Sequence, residues 1–167
     1  MSKEIVNRVA NSKLINIDLE DFYPEGERVL FDIKDWLFAE QILKEKEFRE
    51  FVKNHNWKTY QNKYIALTCS AEAIIPSWAY LLISVELSPF AKKIVVGNLE
   101  TLETSIFQEI IDGLPVKNYI NKPVIIKGCS NKTIPETAYT QLISKLLPIT
   151  KSIMYGEACS NVPLFKR

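Results

Sequence analysis

The sequence has few of the residues from which common active sites are built. Its 167 residues include one histidine and three cysteines. The histidine, His55, lies in a connecting segment that is remote in sequence from the cysteines, so a nucleophile activated by a histidine base is a weak hypothesis. An odd number of cysteines argues against a closed set of disulfide bonds. The sequence therefore disfavours both a histidine-dependent nucleophilic enzyme and a disulfide-stabilised scaffold.

Glycine-rich phosphate loops, an excess of one charge and long apolar runs are missing as well. The chain has five glycines, in neither a G-x-G-x-x-G nor a Walker arrangement, which disfavours nucleotide binding. Its net charge of +1 gives no general basic field for nucleic acid. No apolar run is long enough to cross a bilayer, and the first residues lack the pattern of a signal peptide. We therefore predict a cytoplasmic protein that binds neither nucleic acid nor membrane.

One stretch of the sequence occurs twice, over residues 64–97 and 123–156. After a one-residue gap in the loop, matching residues keep a single offset, which marks two copies of one supersecondary unit. The matched pairs are Ile75 with Ile134, Pro76 with Pro135, Ala79 with Ala138, Tyr80 with Tyr139, Leu87 with Leu146, Pro89 with Pro148, Lys92 with Lys151, Ile94 with Ile153 and Gly97 with Gly156.

Each copy has the pattern of a strand, a loop, a helix and a second strand. A short apolar run opens the copy, and Pro76 or Pro135 suits the first position of the helix. Such βαβ units have parallel strands. Upstream, residues 14–19 and 28–33 have strand patterns on either side of a turn, which predicts a hairpin-like N-terminal extension. We predict a single α/β domain over residues 1–167, with a mainly parallel sheet, helices on both faces and an internal duplication.

All three cysteines precede a serine near the end of an apolar run. Carboxyl ends of parallel strands meet at one edge of a sheet, and ligands bind there near the point where the strand order reverses. We predict a four-stranded order in which the opening strands of the two copies are central neighbours. With strands ~4.8 Å apart, the three sulfur atoms would then reach one ion or cluster. The pairs are Cys69–Ser70, Cys129–Ser130 and Cys159–Ser160.

The leading functional hypothesis is a protein that binds a metal ion or an iron–sulfur cluster through Cys69, Cys129 and Cys159. Thiolates are soft ligands that select zinc or iron–sulfur clusters. Three cysteines leave one position for Glu157, for another carboxylate such as Asp18 or Asp35, for water or for a substrate sulfur. The three serines that follow the cysteines, Ser70, Ser130 and Ser160, are the predicted contacts to the cofactor.

Two other functions stay open. The cysteines could be structural in a non-enzymatic interaction protein, because free cysteine is often buried. Alternatively, a nearby helix N-terminus could lower a thiol pKa in a metal-free redox protein. No catalytic residue can be assigned, and enzyme activity and homo-oligomerisation are both left open.

The remaining aromatic and charged residues have ordinary structural interpretations. Trp36, Phe38, Trp57 and Trp78 are predicted to be core or interface aromatics. The charged stripe over residues 44–53 is predicted to be a solvated helix face, and His55 a solvated surface residue.

Six stretches carry a resemblance that extends over essentially the whole chain, namely residues 5–12, 19–26, 31–37, 68–70, 127–130 and 152–157. They are similar to a Bacteroidetes family classed as a domain of unknown function, number 2480. The family has no established activity. The resemblance implies a role near iron–sulfur cluster assembly or sulfur handling, with proteins of that assembly as partners, and it assigns no catalytic residue.

Overall fold

The structure is a computed structural model, and it describes residues 14–128 and 131–167. Strands and helices alternate along this part of the chain, with short 3-10 helices between some of them. In chain order the main elements are β1 (Ile15–Ile17), β2 (Arg28–Asp32), α1 (Glu45–Asn54), β3 (Tyr64–Thr68), α2 (Ser77–Leu87), β4 (Lys93–Val96), α3 (Leu99–Gly113), β5 (Pro123–Ile126), α4 (Glu136–Leu146), β6 (Ser152–Glu157) and β7 (Ser160–Lys166). None of the helices in these two ranges is long and apolar enough to span a bilayer.

The chain divides into two compact units. The continuous unit, Pro24–Ile106, contains a parallel sheet of order β2-β3-β4. The split unit joins Met1–Tyr23 to Phe107–Arg167 and contains a sheet of order β1-β5-β6-β7. Only β7 is antiparallel to its neighbour within this second sheet. The prediction of an α/β fold with mainly parallel strands is confirmed, while that of a single domain stays a prediction.

Two predictions about strand pairing are wrong. The two N-terminal strands both form, but they do not make a hairpin, because β1 pairs in parallel with β5 and β2 pairs in parallel with β3. The opening strands of the two repeat copies, β3 and β5, are not neighbours and belong to different sheets. Each sheet instead contains one of the N-terminal strands, paired with the opening strand of its βαβ unit. Alternation of strands and helices in a sequence indicates βαβ units, but it does not fix the order of the strands.

The helix α1 and the helices α2 and α4 of the repeat form where the sequence predicts them. Pro76 and Pro135 directly precede α2 and α4, which agrees with the preference of proline for helix starts. The helix α1 is amphipathic and buries Phe48 and Val52. Gly97 follows β4 with a φ of 145°, a backbone conformation that residues with a Cβ rarely adopt.

The two units share one structural plan. In each, a strand is followed by a 3-10 helix, an α-helix, a second 3-10 helix, a strand, an α-helix and a strand. The split unit is interrupted by the continuous one, which includes the first half of α3, up to Ile106. Core residues match at the offset of the predicted repeat. The buried pairs are Phe48 with Phe107, Val52 with Ile111, Ile65 with Val124, Leu67 with Ile126, Ala79 with Ala138, Ile83 with Leu142 and Leu87 with Leu146.

Backbone details match at the same offset. Asn62 and Asn121 both have a left-handed conformation, with φ of 60° and 56°. Their N–H groups donate to the carbonyls of Phe90 and Ile149 at 2.9 and 2.8 Å. These matches are compatible with the predicted internal duplication, and they extend it upstream to the helices α1 and α3. Residues at matching places in the two units are called corresponding positions below.

Candidate functional site

The carboxyl edge of the sheet in the continuous unit is organised by Asp32, the last residue of β2. One carboxylate oxygen accepts hydrogen bonds from the backbone N–H groups of Lys34 and Ser70 at 3.0 and 3.1 Å. Burial raises the pKa of Asp32, but hydrogen bonds from Ser70 and Lys34 outweigh burial and hold the pKa below its usual value. Cys69 follows β3, is half-buried, and directs its thiol toward the carbonyl of Ala71 at 3.8 Å. Ser70 therefore has an observed structural role, which is to anchor its loop to Asp32.

Apart from Asp35, which is exposed in the 3-10 helix Lys34–Trp36 of the continuous unit, the other predicted site residues that the structure describes lie at the corresponding edge of the split unit. Cys159 is exposed in the turn between β6 and β7, and Ser160 is the first residue of β7. Glu157 ends β6 and is exposed. Asp18 forms an ion pair with Lys127 at 3.2 Å. Cys129 and Ser130, also predicted site residues, fall outside the part of the chain that the structure describes.

The prediction of a metal-binding or iron–sulfur protein is wrong. It required β3 and β5 to be neighbours, and they lie in different sheets, so no shared sheet edge brings Cys69 and Cys159 together. Within residues 14–128 and 131–167, no three His, Cys, Asp or Glu side chains form a group that could hold a metal ion. Contacts of Ser70, Ser130 and Ser160 with a cofactor remain untested predictions.

A polar cavity of about 310 Å³ opens beside Ser70 at the carboxyl edge of the continuous unit. Its charges partly cancel, because Lys34 and Glu40 form an ion pair at 3.1 Å across its lining. Glu40 has a left-handed backbone with a φ of 55°. Glu72 adds a second carboxylate to the lining, and this mixture of charges defines no class of ligand for the cavity.

A larger cavity of about 470 Å³ lies on the continuous unit, beside α1, and is called the aromatic pocket here. The indole of Trp36 stacks on the ring of Phe51, with centroids 5.7 Å apart and planes at 15°. The imidazole of His55 meets the same indole at 5.3 Å and 65°. The pocket is lined by Trp36, Glu47, Glu50, Phe51, Asn54 and His55.

The helix α1 positions most of the pocket. Glu47, Glu50, Phe51 and Asn54 recur at the spacing that places residues on one helix face. Trp36 comes from the 3-10 helix Lys34–Trp36 that follows β2. Its indole also packs edge-on against the buried ring of Phe48, with centroids 5.6 Å apart. The position of the Trp36 indole in the pocket is therefore fixed by packing against the core of the unit.

His55 follows directly after α1 and closes the end of the pocket. Its Nε2 atom lies 2.9 Å from the hydroxyl of Tyr60. Burial lowers the pKa of His55 below its ordinary value of 6.5, so the imidazole is neutral at pH 7. The prediction that His55 is a solvated surface residue is wrong, because its side chain is half-buried among aromatic rings.

The pocket is negatively charged at neutral pH. Glu47 and Glu50 are exposed at its rim, and His55 is neutral. Lys44 pairs with Glu47 at 3.4 Å, while Glu50 has no ion-pair partner among the residues described. Aromatic faces attract cations through their quadrupole. An arrangement of aromatic faces beside carboxylates suits the binding of an organic cation.

This arrangement is found in one unit and not in the other. At the corresponding positions, the split unit has Phe22 for Trp36, Ile110 for Phe51 and Leu114 for His55. These residues preserve the packing but carry neither an indole nor a titratable group. The fold itself therefore does not require the residues that make the aromatic pocket.

The pocket was missed from the sequence, because the charged stripe of α1 was predicted to be a solvated helix face and Trp36 a core or interface aromatic. The spacing of Phe51 relative to the two glutamates did indicate an unusual helix face. Phe51 is an apolar residue on the charged side of the helix, next to Glu47 and Glu50, and it is 44% exposed. An exposed aromatic ring between carboxylates is informative because most large aromatic rings are buried.

The single histidine offers a direct test of the pocket's environment. We expect the imidazole of His55 to titrate below pH 6.5 in the folded protein and near 6.5 in urea. Because the unfolded chain then binds the proton more readily, His55 lowers the stability of the fold as the pH falls below about 6.5. A proton NMR titration of the one histidine ring measures both values. A folded pKa at or above 6.5 would contradict the buried environment.

Comparisons with known proteins identify the family but no activity. The fold and the pocket define an α/β protein with two parallel-sheet units and a candidate binding site on one of them. The chain belongs to the family described as protein of unknown function (DUF2480), whose model matches residues 3–167. No curated protein and no solved structure matches the chain.

Proposed function

We propose that this protein binds a guanidinium group, as in an arginine side chain, in the aromatic pocket of the continuous unit. The observation that carries the proposal is the stacked pair of Trp36 and Phe51 with two carboxylates at its rim. A guanidinium is planar, so it can stack on an aromatic face while its N–H groups donate to a carboxylate. Glu50 is the carboxylate with no ion-pair partner in the described part of the chain, and it is the expected acceptor.

A guanidinium fits the pocket better than a compact ammonium does. The Trp36 and Phe51 rings stack on each other with planes at 15°, so a ligand meets one flat outer face, that of the more exposed Phe51 ring, and not a closed box of walls. A flat surface matches a planar cation, which is also less strongly hydrated than an ammonium. The amide of Asn54 adds a neutral acceptor at the rim.

The expected affinity for the isolated group is modest. A cation–π contact contributes ~0.5–1 kcal/mol at an exposed site and ~2 kcal/mol when it is desolvated. Hydrogen bonds to a charged group add ~1.5–3 kcal/mol. Together these terms correspond to a dissociation constant on the order of 1 mM for a small guanidine compound.

The test compares N-acetylarginine amide with N-acetylcitrulline amide, which has a similar shape and no charge. We expect tryptophan fluorescence to titrate with the arginine compound at millimolar concentration and to show no saturation with the citrulline compound. The Glu50→Gln variant should weaken binding of the arginine compound severalfold. Glu45→Gln changes an exposed glutamate of the same helix outside the pocket, and should leave binding unchanged.

The outcomes separate the alternatives. Equal titration by both compounds would show apolar binding without charge recognition and would overturn the proposal. Tenfold tighter binding of a short arginine-containing peptide than of the amide would place the guanidinium on a polypeptide. Equal affinities would favour a small guanidine compound.

We keep two expectations from the sequence as part of this proposal, namely a cytoplasmic location and no nucleic-acid partner. The odd number of cysteines supports the first, and the net charge of +1 supports the second. Iron–sulfur assembly proteins, which the family resemblance implied as partners, are not retained, because no group that could hold a metal ion is found among the described residues.

A further inference from the structure

The outer face of α2 exposes large apolar side chains. Leu81 and Val85, one helical turn apart, are 64% and 66% exposed. Ser77 and Ser88 continue the same face at its two ends. The helix carries apolar residues nearly all round, and such helices are normally buried on every side. Contiguous exposed apolar surface on a globular protein marks an interaction site.

The corresponding helix in the split unit provides a matched comparison. The buried faces of α2 and α4 agree, with Ala79, Ile83 and Leu87 matched by Ala138, Leu142 and Leu146. The outer faces differ, because Thr140 and Ser144 replace Leu81 and Val85. Both replacements are exposed.

This difference shows that the outer face of α2, and not that of α4, has an unusual composition. The fold accepts threonine and serine at these two places in α4, so the apolar residues of α2 are not required for folding of the helix. The half-buried Leu82 and Trp78 of α2 differ in the same direction from their counterparts in α4, the half-buried Gln141 and the exposed Thr137. The outer face of α2 is therefore adapted to an apolar contact.

We propose that the outer face of α2 packs against α2 of a second copy of this chain, in an antiparallel arrangement about a two-fold axis. A two-fold interface must be self-complementary, so that each residue meets its partner reciprocally. With the axis at Leu81, that residue meets its own counterpart. Val85 then lies over the smaller Ser77, four residues to the other side of the axis.

An arginine lies near one end of the helix and a glutamate near the other, so the arrangement brings opposite charges together. Near the N-terminal end, the guanidinium of Arg49 lies 5.5 Å from the centroid of the Trp78 ring, and it also forms an exposed ion pair with Glu45 at 2.8 Å. Near the C-terminal end, Glu86 is half-buried and has no ion-pair partner among the residues described. Antiparallel packing brings the Arg49 end of one helix to the Glu86 end of the other. A parallel packing would instead place like charges together.

The dimer is expected to be weak. An 11-residue helix is about 16 Å long, so one helix pair buries less than the roughly 800 Å² per partner of a standard interface. We therefore expect dissociation in the range of tens of micromolar.

The test is sedimentation-equilibrium ultracentrifugation of the full chain between 5 and about 300 micromolar. The double variant Leu81→Thr, Val85→Ser carries the residues of the corresponding positions in α4. We expect wild type to dimerise reversibly and the double variant to stay monomeric, with unchanged circular dichroism. The matched control Thr140→Ser, Ser144→Thr, on the outer face of α4, should dimerise as wild type does.

A second measurement locates the interface. Leu81→Cys should form an intermolecular disulfide under mild oxidation, because the two copies of residue 81 meet at the axis. Ser88→Cys, at the helix end, should give no more intermolecular disulfide than wild type.

A wild type that is monomeric at 300 micromolar would overturn the proposal. So would a dimer that survives in the Leu81→Thr, Val85→Ser variant. Binding of a monomeric wild type to phosphatidylcholine vesicles, lost in the same variant, would assign the face to a lipid surface instead.

Discussion

Replacing Glu103 by alanine is expected to lower the free energy of unfolding by about 3 kcal/mol. Glu103 lies on α3, and its side chain is 8% exposed. Its carboxylate accepts a hydrogen bond from Nε of Arg28 at 2.6 Å, at the start of β2. The Arg28 side chain is 12% exposed, so the variant would leave a largely buried charge without this carboxylate. Urea denaturation followed by circular dichroism measures the difference.

An ion pair on the surface provides the control for this prediction. Arg49 and Glu45 are joined at 2.8 Å, but both are more than half exposed. Glu45→Ala should change the free energy of unfolding by less than about 1 kcal/mol, because exposed pairs are screened by water. Glu103→Gln keeps the shape and removes the charge, and should fall between the two. Equal effects of Glu103→Ala and Glu45→Ala would contradict the structural role given to the buried pair.

The second large effect is on binding. The variant Phe51→Ile, His55→Leu replaces two pocket residues by those at the corresponding positions of the split unit. It is expected to weaken binding of N-acetylarginine amide at least tenfold, which corresponds to about 1.4 kcal/mol. The loss follows from the missing aromatic face, since the variant keeps both glutamates. Fluorescence titration measures the affinity.

This variant is chosen because its residues already suit the same packing elsewhere in the chain. Ile110 and Leu114 pack in the core of the split unit. We therefore expect the variant to fold, with a circular dichroism spectrum like that of wild type. A folded variant with unchanged affinity would exclude the aromatic pocket as the binding site.

Local features of the fold were predictable from the sequence, and the pairing of strands was not. Prolines and apolar spacing placed α2 and α4 correctly, because these signals act within a few residues. The partners of β1 and β2 were missed, because strand order depends on packing between segments that are far apart in sequence. The same error produced the wrong metal site, since that site needed β3 and β5 to be neighbours.

The aromatic pocket could be predicted only in part. The spacing of Glu47, Glu50 and Phe51 on one helix face was readable from the sequence. Trp36 lies on a different element, and its stacking on Phe51 depends on how the 3-10 helix after β2 packs against α1. His55 has a sequence environment typical of a connector, and its burial arises from rings that only the fold brings around it.

The most direct test of the proposed function observes the pocket itself. His55 is the only histidine, so its ring protons give a reporter inside the pocket that needs no labelling at other sites. We predict that N-acetylarginine amide shifts the His55 resonances along a saturating curve at pH 7.5, and that N-acetylcitrulline amide at the same concentrations does not. Resonances of His55 that stay unmoved by the arginine compound at 20 millimolar would contradict the proposal that this pocket binds a guanidinium group.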